Sequence, residues 1–200
     1  MTEEVYISTD IEADGPIPGE YSLLSLGSVA LDQNGKILGK FYKKLQPLKS
    51  AKQHPQTMQF WEKNKEAYLE ATSDSESPEK VINEYADWLQ NISKEHKSRL
   101  YFLAYPATWD FMFVSWYLIK FVKKYKKNHF LDVPFRHQGI DIRTFAMAQL
   151  KKNYSESGID SMPERWTKES KKFVGHRADD DALKQGLIFI NMLKENRGKK

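Results

Sequence analysis

The chain has 200 residues, 40% of them hydrophobic and 29% charged, which is enough apolar content for the core of one ordinary globular domain. It has no cysteine, which excludes disulfides and thiolate metal sites and leaves carboxylate and histidine as metal ligands. A formal net charge of +4 is compatible with a polyanionic partner without requiring one.

In chain order, Val5 to Glu12 reads as a strand, ended by the turn sequence Asp14-Gly15-Pro16-Ile17-Pro18-Gly19. Leu23 to Leu31 is a second strand. Asp32-Gln33-Asn34-Gly35 is a hairpin turn leading into a third strand, Lys36 to Leu45. Thr57 to Glu70 predicts one helix. Ser77 with Pro78 marks the start of another, whose apolar stripe is Val81, Ile82, Tyr85, Trp88, Leu89 and Ile92. Leu100 to Ala104 is a short buried strand. Thr108 is expected to cap the helix that follows, apolar nearly all round as far as Val122 and therefore central. Asp141 to Lys151 predicts a short helix, and Tyr154 to Ser170 reads as irregular. A last helix runs from about Asp179 to Glu195, with Asp179 or Asp180 as its cap. Leu183, Leu187, Ile190, Met192 and Leu193 would face inward from it.

There is no internal repeat and no linker, so the expectation is one domain over 1–200, with about 196–200 a frayed basic tail. The expected class is α/β: an antiparallel three-strand meander plus parallel strands in one mixed sheet, flanked by helices. No apolar run reaches the length of a membrane span. The start, Met1-Thr2-Glu3-Glu4, lacks a signal-peptide pattern, so the expected location is the cytoplasm, with no membrane partner.

Three stretches carry candidate chemistry. Asp10 and Glu12 are two apart on a strand and share one face. Twenty-seven acids in 200 residues produce about 3–4 acid-x-acid pairs by chance, so the pair counts mainly because it ends an apolar strand at a Gly/Pro turn. Asp110 sits in the first turn of the apolar helix, where the helix dipole favours an acid, and Tyr105, Trp109 and Phe111 would keep bulk water from it. His176 and Asp181 are five apart at a loop-to-helix junction, so both can face one site, His176 as a base near neutral pH. Four carboxylates and one histidine can form a two-metal site for phosphodiester cleavage.

These residues carry a resemblance. The chain resembles the DEDDh branch of the 3′–5′ exonucleases, the ribonuclease H-like superfamily that includes ribonuclease T, oligoribonuclease and polymerase proofreading domains. Asp10-Ile11-Glu12 matches the D-x-E motif and Asp110 falls at the second-motif aspartate. His176-Arg177-Ala178-Asp179-Asp180-Asp181 matches H-x-A-x-x-D in full. The likeness is closest to a group of compact bacterial exonuclease-like proteins, on Ser22 to Ala30 and Ala104 to Phe111.

The resemblance implies a ribonuclease H-like mixed sheet. It also implies a metal-dependent 3′–5′ exonuclease on single-stranded nucleic acid, RNA favoured over DNA, releasing nucleoside 5′-monophosphates. Asp10, Glu12, Asp110 and Asp181 would hold two Mg2+ or Mn2+ ions, and His176 would take the proton of the attacking water. Where many relatives have Thr-Thr-Gly after the first motif, this chain has Ala13-Asp14-Gly15, which removes a hydroxyl beside the terminal nucleotide and adds a charge. Where they have His-Asn ahead of the second motif, it has Tyr105-Pro106. Candidate substrate contacts are Ala13, Met58, Trp61 and Trp109, with Phe60 beside them; stacking on a base competes with core packing for Met58, Phe60 and Trp61. The basic clusters Lys120, Lys123, Lys124, Lys126, Lys127 and Lys168, Lys171, Lys172 are candidates for a phosphate track, the first also for a patch at a homodimer interface. The alternatives are a catalytically silent nucleic-acid-binding module on the same fold, or a small-nucleotide phosphodiesterase.

Overall fold

The computed structural model describes residues 4–128, 133–168 and 177–198. Strands β1 (Glu4–Ala13), β2 (Leu23–Asp32) and β3 (Ile37–Lys44) form the antiparallel meander. Two further strands, β4 (Arg99–Ala104) and β5 (Gly139–Asp141), run parallel to β1, giving the five-stranded order β3-β2-β1-β4-β5. The first strand is central, hydrogen-bonded on both sides, and Val5 to Thr9 are buried. A strand covered on both faces reads as a nearly continuous apolar run, which Val5-Tyr6-Ile7 and Leu23 to Leu31 do.

Each face of the sheet has its own helical layer. Val5, Ile7 and Ile11 point to one side, where they pack with α3 (Pro78–Glu95) and α4 (Ala107–Phe121) through Val81, Tyr85, Leu89, Phe113 and Tyr117. Tyr6, Val29, Leu31 and Leu103 point to the other, against α6 (Ile142–Leu150), α7 (Glu164–Thr167) and α8 (Ala178–Asn196). The Ser77 hydroxyl caps α3 from the Lys80 amide, as its Ser-Pro start implies.

Several expected boundaries move. The helix expected over Thr57 to Glu70 is two, α1 (Pro55–Lys63) and α2 (Lys65–Thr72), broken at Asn64, whose side-chain amide donates to the Phe60 carbonyl at 2.8 Å. That local bond competes with the backbone ladder and ends the first helix. Pro106, not Thr108, is the cap residue of α4, which begins at Ala107. Arg177, not Asp179 or Asp180, occupies the cap of α8, and all three aspartates lie in its first turn. After Val122 the chain turns into α5 (Lys123–Asn128). The stretch Tyr154 to Ser170, expected to be irregular, contains two 3-10 turns and α7, where Trp166 is buried. Asp141 ends β5 and caps α6 by accepting from the Thr144 amide at 2.7 Å.

Candidate active site

Parallel strands β1 and β4 pair only as far as Ser8 and Leu103, so the last residues of β1 project beyond their neighbour. The gap is filled by α4. The Asp110 carboxylate, 2% exposed, accepts the Ile11 amide at 3.0 Å, replacing a ladder bond with a side chain from 99 residues away. Asp10 and Glu12 flank that amide and point to the opposite face of the sheet from Ile11.

Helix α8 approaches from that opposite face. Gly27 is the residue of β2 paired with Asp10, and a Cβ there would lie 2.2 Å from the Ala178 carbonyl carbon and the Asp179 amide nitrogen. Only a glycine lets the first turn of α8 rest on the strand at this point. Two turns along, a Cβ at Gly186 would lie 2.6 Å from the end of the Leu31 side chain and 2.9 Å from the Ser8 Cβ, and the Gln185 amide donates to the Thr9 carbonyl at 2.7 Å. These contacts seat α8 so that Asp181 faces Asp10 and Glu12. Asp179 is turned the other way, to the Arg177 guanidinium at 2.7 Å, which lies over the Tyr42 ring.

The four acids share one electrostatic environment. Burial, then the charges of Asp110, Glu12 and Asp181, hold the Asp10 carboxyl well above its ordinary range, and Lys184 opposes this. Burial, then Asp181, pushes Glu12 up to about 8. Burial raises Asp110 too, against the Ile11 hydrogen bond. Lys184 Nζ lies 4.0 Å from Asp181. Among the described residues no three acids or histidines already close on a single point as a metal cage. The acids are neighbours held apart by like charge, which is the cost a cation would remove. An all-oxygen donor set of this kind fits a hard divalent ion.

The remaining expected residues fare differently. His176 lies outside the described residues. Trp61 is 2% exposed, packs with Leu24, Ala71, Phe60 and Tyr68, and donates its indole N–H to the Ala13 carbonyl at 3.1 Å. It is a packing residue, not a stacking platform, because its ring has no free face. Ala13 is buried, and Met58 is half-buried against the same cluster. Trp109 is 37% exposed beside Asp110 and rests on Phe113.

Asp14 adds no open charge. It is 1% exposed and accepts the Ser22 amide, closing the end of the β1–β2 pair. The lysines at 120, 123, 124 and 126 sit at the end of α4 away from Asp110, about 15 Å along the helix by its rise per residue. The side chain of Lys127, and all of Lys171 and Lys172, lie outside the described residues. Gly27, Gly186, Gln185 and Lys184 were not expected from the sequence. A glycine inside an apolar strand and another inside a helix are signals of close backbone approach that could have found the first two.

No protein-family model matches the sequence. The chain is 26% identical over 142 residues to the 3′–5′ DNA exonuclease Cap18 of Escherichia coli, covering 71% of this chain and 67% of that protein. Among solved structures it is similar to the nuclease domain of 3′hExo, described as a DEDDh family member and bound to rAMP. The TM-score is 0.64 at 15% identity, over 97% of this chain and 92% of that one. A 3′-exonuclease that recognises the histone mRNA stem-loop gives 0.64 at 14% identity, the match covering 97% of this chain but only 64% of that one. Pop2p of S. pombe, in a form with Mg2+ and Mn2+, gives 0.63 at 13% identity over 98% of this chain and 85% of that one. The fold is therefore ribonuclease H-like. The sequence similarity is thus to a 3′–5′ DNA exonuclease, and the fold is one shared with a solved nuclease domain described as a DEDDh family member.

Proposed function

We propose that the protein removes nucleotides from the 3′ end of single-stranded nucleic acid, using divalent metal held by Asp10, Glu12, Asp110 and Asp181. The observation that carries this reading is the grouping of four carboxylates at the end of β1, three of them raised by burial and by the charge of neighbouring acids. Such an arrangement destabilises the folded chain unless a cation joins it. Two Mg2+ or Mn2+ ions suit the number of carboxylates, and when bound they would supply positive charge to the phosphate and make water acidic enough to attack it.

The chain's own residues do the rest. Asp110, fixed by the Ile11 amide, sets the depth of the site. Lys184, beside Asp181, offers a positive charge to the phosphate once the carboxylates are engaged. His176 takes the proton from the attacking water, and the 3′ oxygen of the next nucleotide leaves, giving a nucleoside 5′-monophosphate. Trp109 offers an exposed ring at the rim on which a base can stack.

RNA is the polymer expected from the sequence resemblance. DNA is the second reading, favoured by the curated relative, which is named as a DNA exonuclease. Both are tested by incubating 5′-labelled RNA and DNA strands of one sequence with Mg2+ or Mn2+ and an Asp10→Ala control. Stepwise shortening from the 3′ end with release of 5′-monophosphates is expected. Shortening no faster than in the control, on both polymers, defeats the reading.

A further inference from the structure

A second concave site lies at the other end of the sheet. It is a cleft of about 640 Å³ between the end of α3, the start of β4, α5 and the segment 133–136. Arg99 opens β4 and Ala104 closes it, so the cleft is about 16 Å down the strand from the acid site, at roughly 3.3 Å per residue. Lys94, Arg99, Lys124 and Arg136 stand around it, all exposed, and no carboxylate is among the described residues that line it. The uncharged donors Gln90 and Ser93 lie between them, and Leu89, Leu100 and Val133 make an apolar floor.

Among the described residues that line the cleft, the charge is not balanced. Some lysines and arginines on this surface pair with acids, as Lys43 with Glu76 and Glu84, or Arg165 with Glu195. Among the described residues none of the four cleft cations forms an ion pair. Lys124 reaches only the Gln90 side chain, at 3.4 Å, and the Tyr125 ring beneath it. Four like charges around one cleft raise its potential and concentrate anions there. Guanidinium groups present paired donors that match phosphate oxygens.

We propose that this cleft binds a small phosphorylated molecule carrying about three or four negative charges over an apolar body, the class of a nucleoside di- or triphosphate. The cations set the charge of the ligand. The apolar floor favours a ligand with a base and sugar over a bare inorganic anion. The site is separate from the acid cluster, whose charge repels such a ligand when metal is withheld.

Calorimetric titration of the whole chain with ATP and with tripolyphosphate, in EDTA, tests this. One saturable site per chain is expected, tighter for ATP than for tripolyphosphate. The pair Arg99→Glu and Arg136→Glu is expected to weaken ATP binding roughly tenfold or more. The milder pair Lys94→Ala and Lys124→Ala is expected to weaken it by a smaller factor, and far-ultraviolet circular dichroism would verify that both double variants fold. An Asp10→Ala chain is expected to bind as the wild type does. No saturable binding by the wild type, equal binding by folded double variants, or tripolyphosphate binding as tightly as ATP would each overturn the proposal. The nuclease reading is unaffected by any of these, since it is measured with metal at the other end of the sheet.

Discussion

Replacing Gly27 with alanine tests whether the seating of α8 makes the site. The new Cβ would lie 2.2 Å from two backbone atoms of Ala178 and Asp179, where ordinary contact begins near 3.4 Å. Neither obstacle is a side chain that can swing away, so the start of α8 must lift by at least about 1.2 Å. Overpacking of this size costs about 1–3 kcal/mol, or roughly 2–12 °C in melting temperature for a chain of this length. Displacing one member of a reacting constellation by about 1 Å can cost on the order of a hundredfold in rate. Gly27→Ala is therefore expected to melt somewhat lower yet lose most of its turnover on a labelled strand, assayed well below its melting temperature. Gly186→Ala supplies the comparison, since its Cβ meets mainly the flexible end of Leu31, with Ser8 behind it, and no backbone of the first turn of α8. It is expected to lose stability with a much smaller loss of turnover. If folded Gly27→Ala keeps turnover within about threefold of wild type, the argument that this glycine positions Asp181 is wrong.

Glu12→Gln tests the repulsion in the site through stability. Its folded value is raised from 4.5 to about 8, so its stabilising contribution is fully present below 4.5 and is lost as pH rises through about 8. At about 1.4 kcal/mol per tenfold change, removing the charge should stabilise the metal-free protein by up to about 4 kcal/mol at pH 8 and by nearly nothing at pH 4. Thermal melts in EDTA at the two pH values check this, and a variant no more stable than wild type at pH 8 contradicts it. Asp110→Asn retains an acceptor for the Ile11 amide while losing the charge, so it is expected to fold at least as stably and to lose metal affinity and turnover. Calorimetry with Mn2+ reads the first loss directly. Trp61→Phe leaves the buried Ala13 carbonyl without its 3.1 Å partner and should cost about 1–3 kcal/mol in denaturant unfolding; an unchanged midpoint would show that the bond contributes nothing.

The sheet was readable because its signals are local. Alternation and continuous apolar runs define β1 and β2, and Asp32-Gln33-Asn34-Gly35 sets the hairpin. The break at Asn64 is decided by a side-chain bond, which hydrophobic periodicity does not encode, and the same periodicity does not fix the start of α4 to within the two residues that separate Pro106 from Thr108. Strand β5 has only three residues and exists because β4 offers it an edge, so propensity alone could not find it. At the candidate site the acids were legible as motifs. What holds them together was not: Gln185 to Thr9 spans 176 positions and Asp110 to Ile11 spans 99. The sequence leaves Trp61 open between stacking on substrate and core packing, because an aromatic in a helix after the meander looks the same whether its ring faces solvent or core.

The bond between the Ile11 amide and Asp110 also makes a backbone proton a witness to the state of the carboxylate. A neutral Asp110 is a weaker acceptor than an ionised one, and a cation drawing on the carboxylate weakens the ionised form in the same direction. The resonance of that single amide therefore shifts with the charge on Asp110, and its exchange with solvent measures how often the end of the sheet opens. One nitrogen-labelled nucleus in β1 can thus follow metal loading and strand opening in the same titration, without substrate and without turnover.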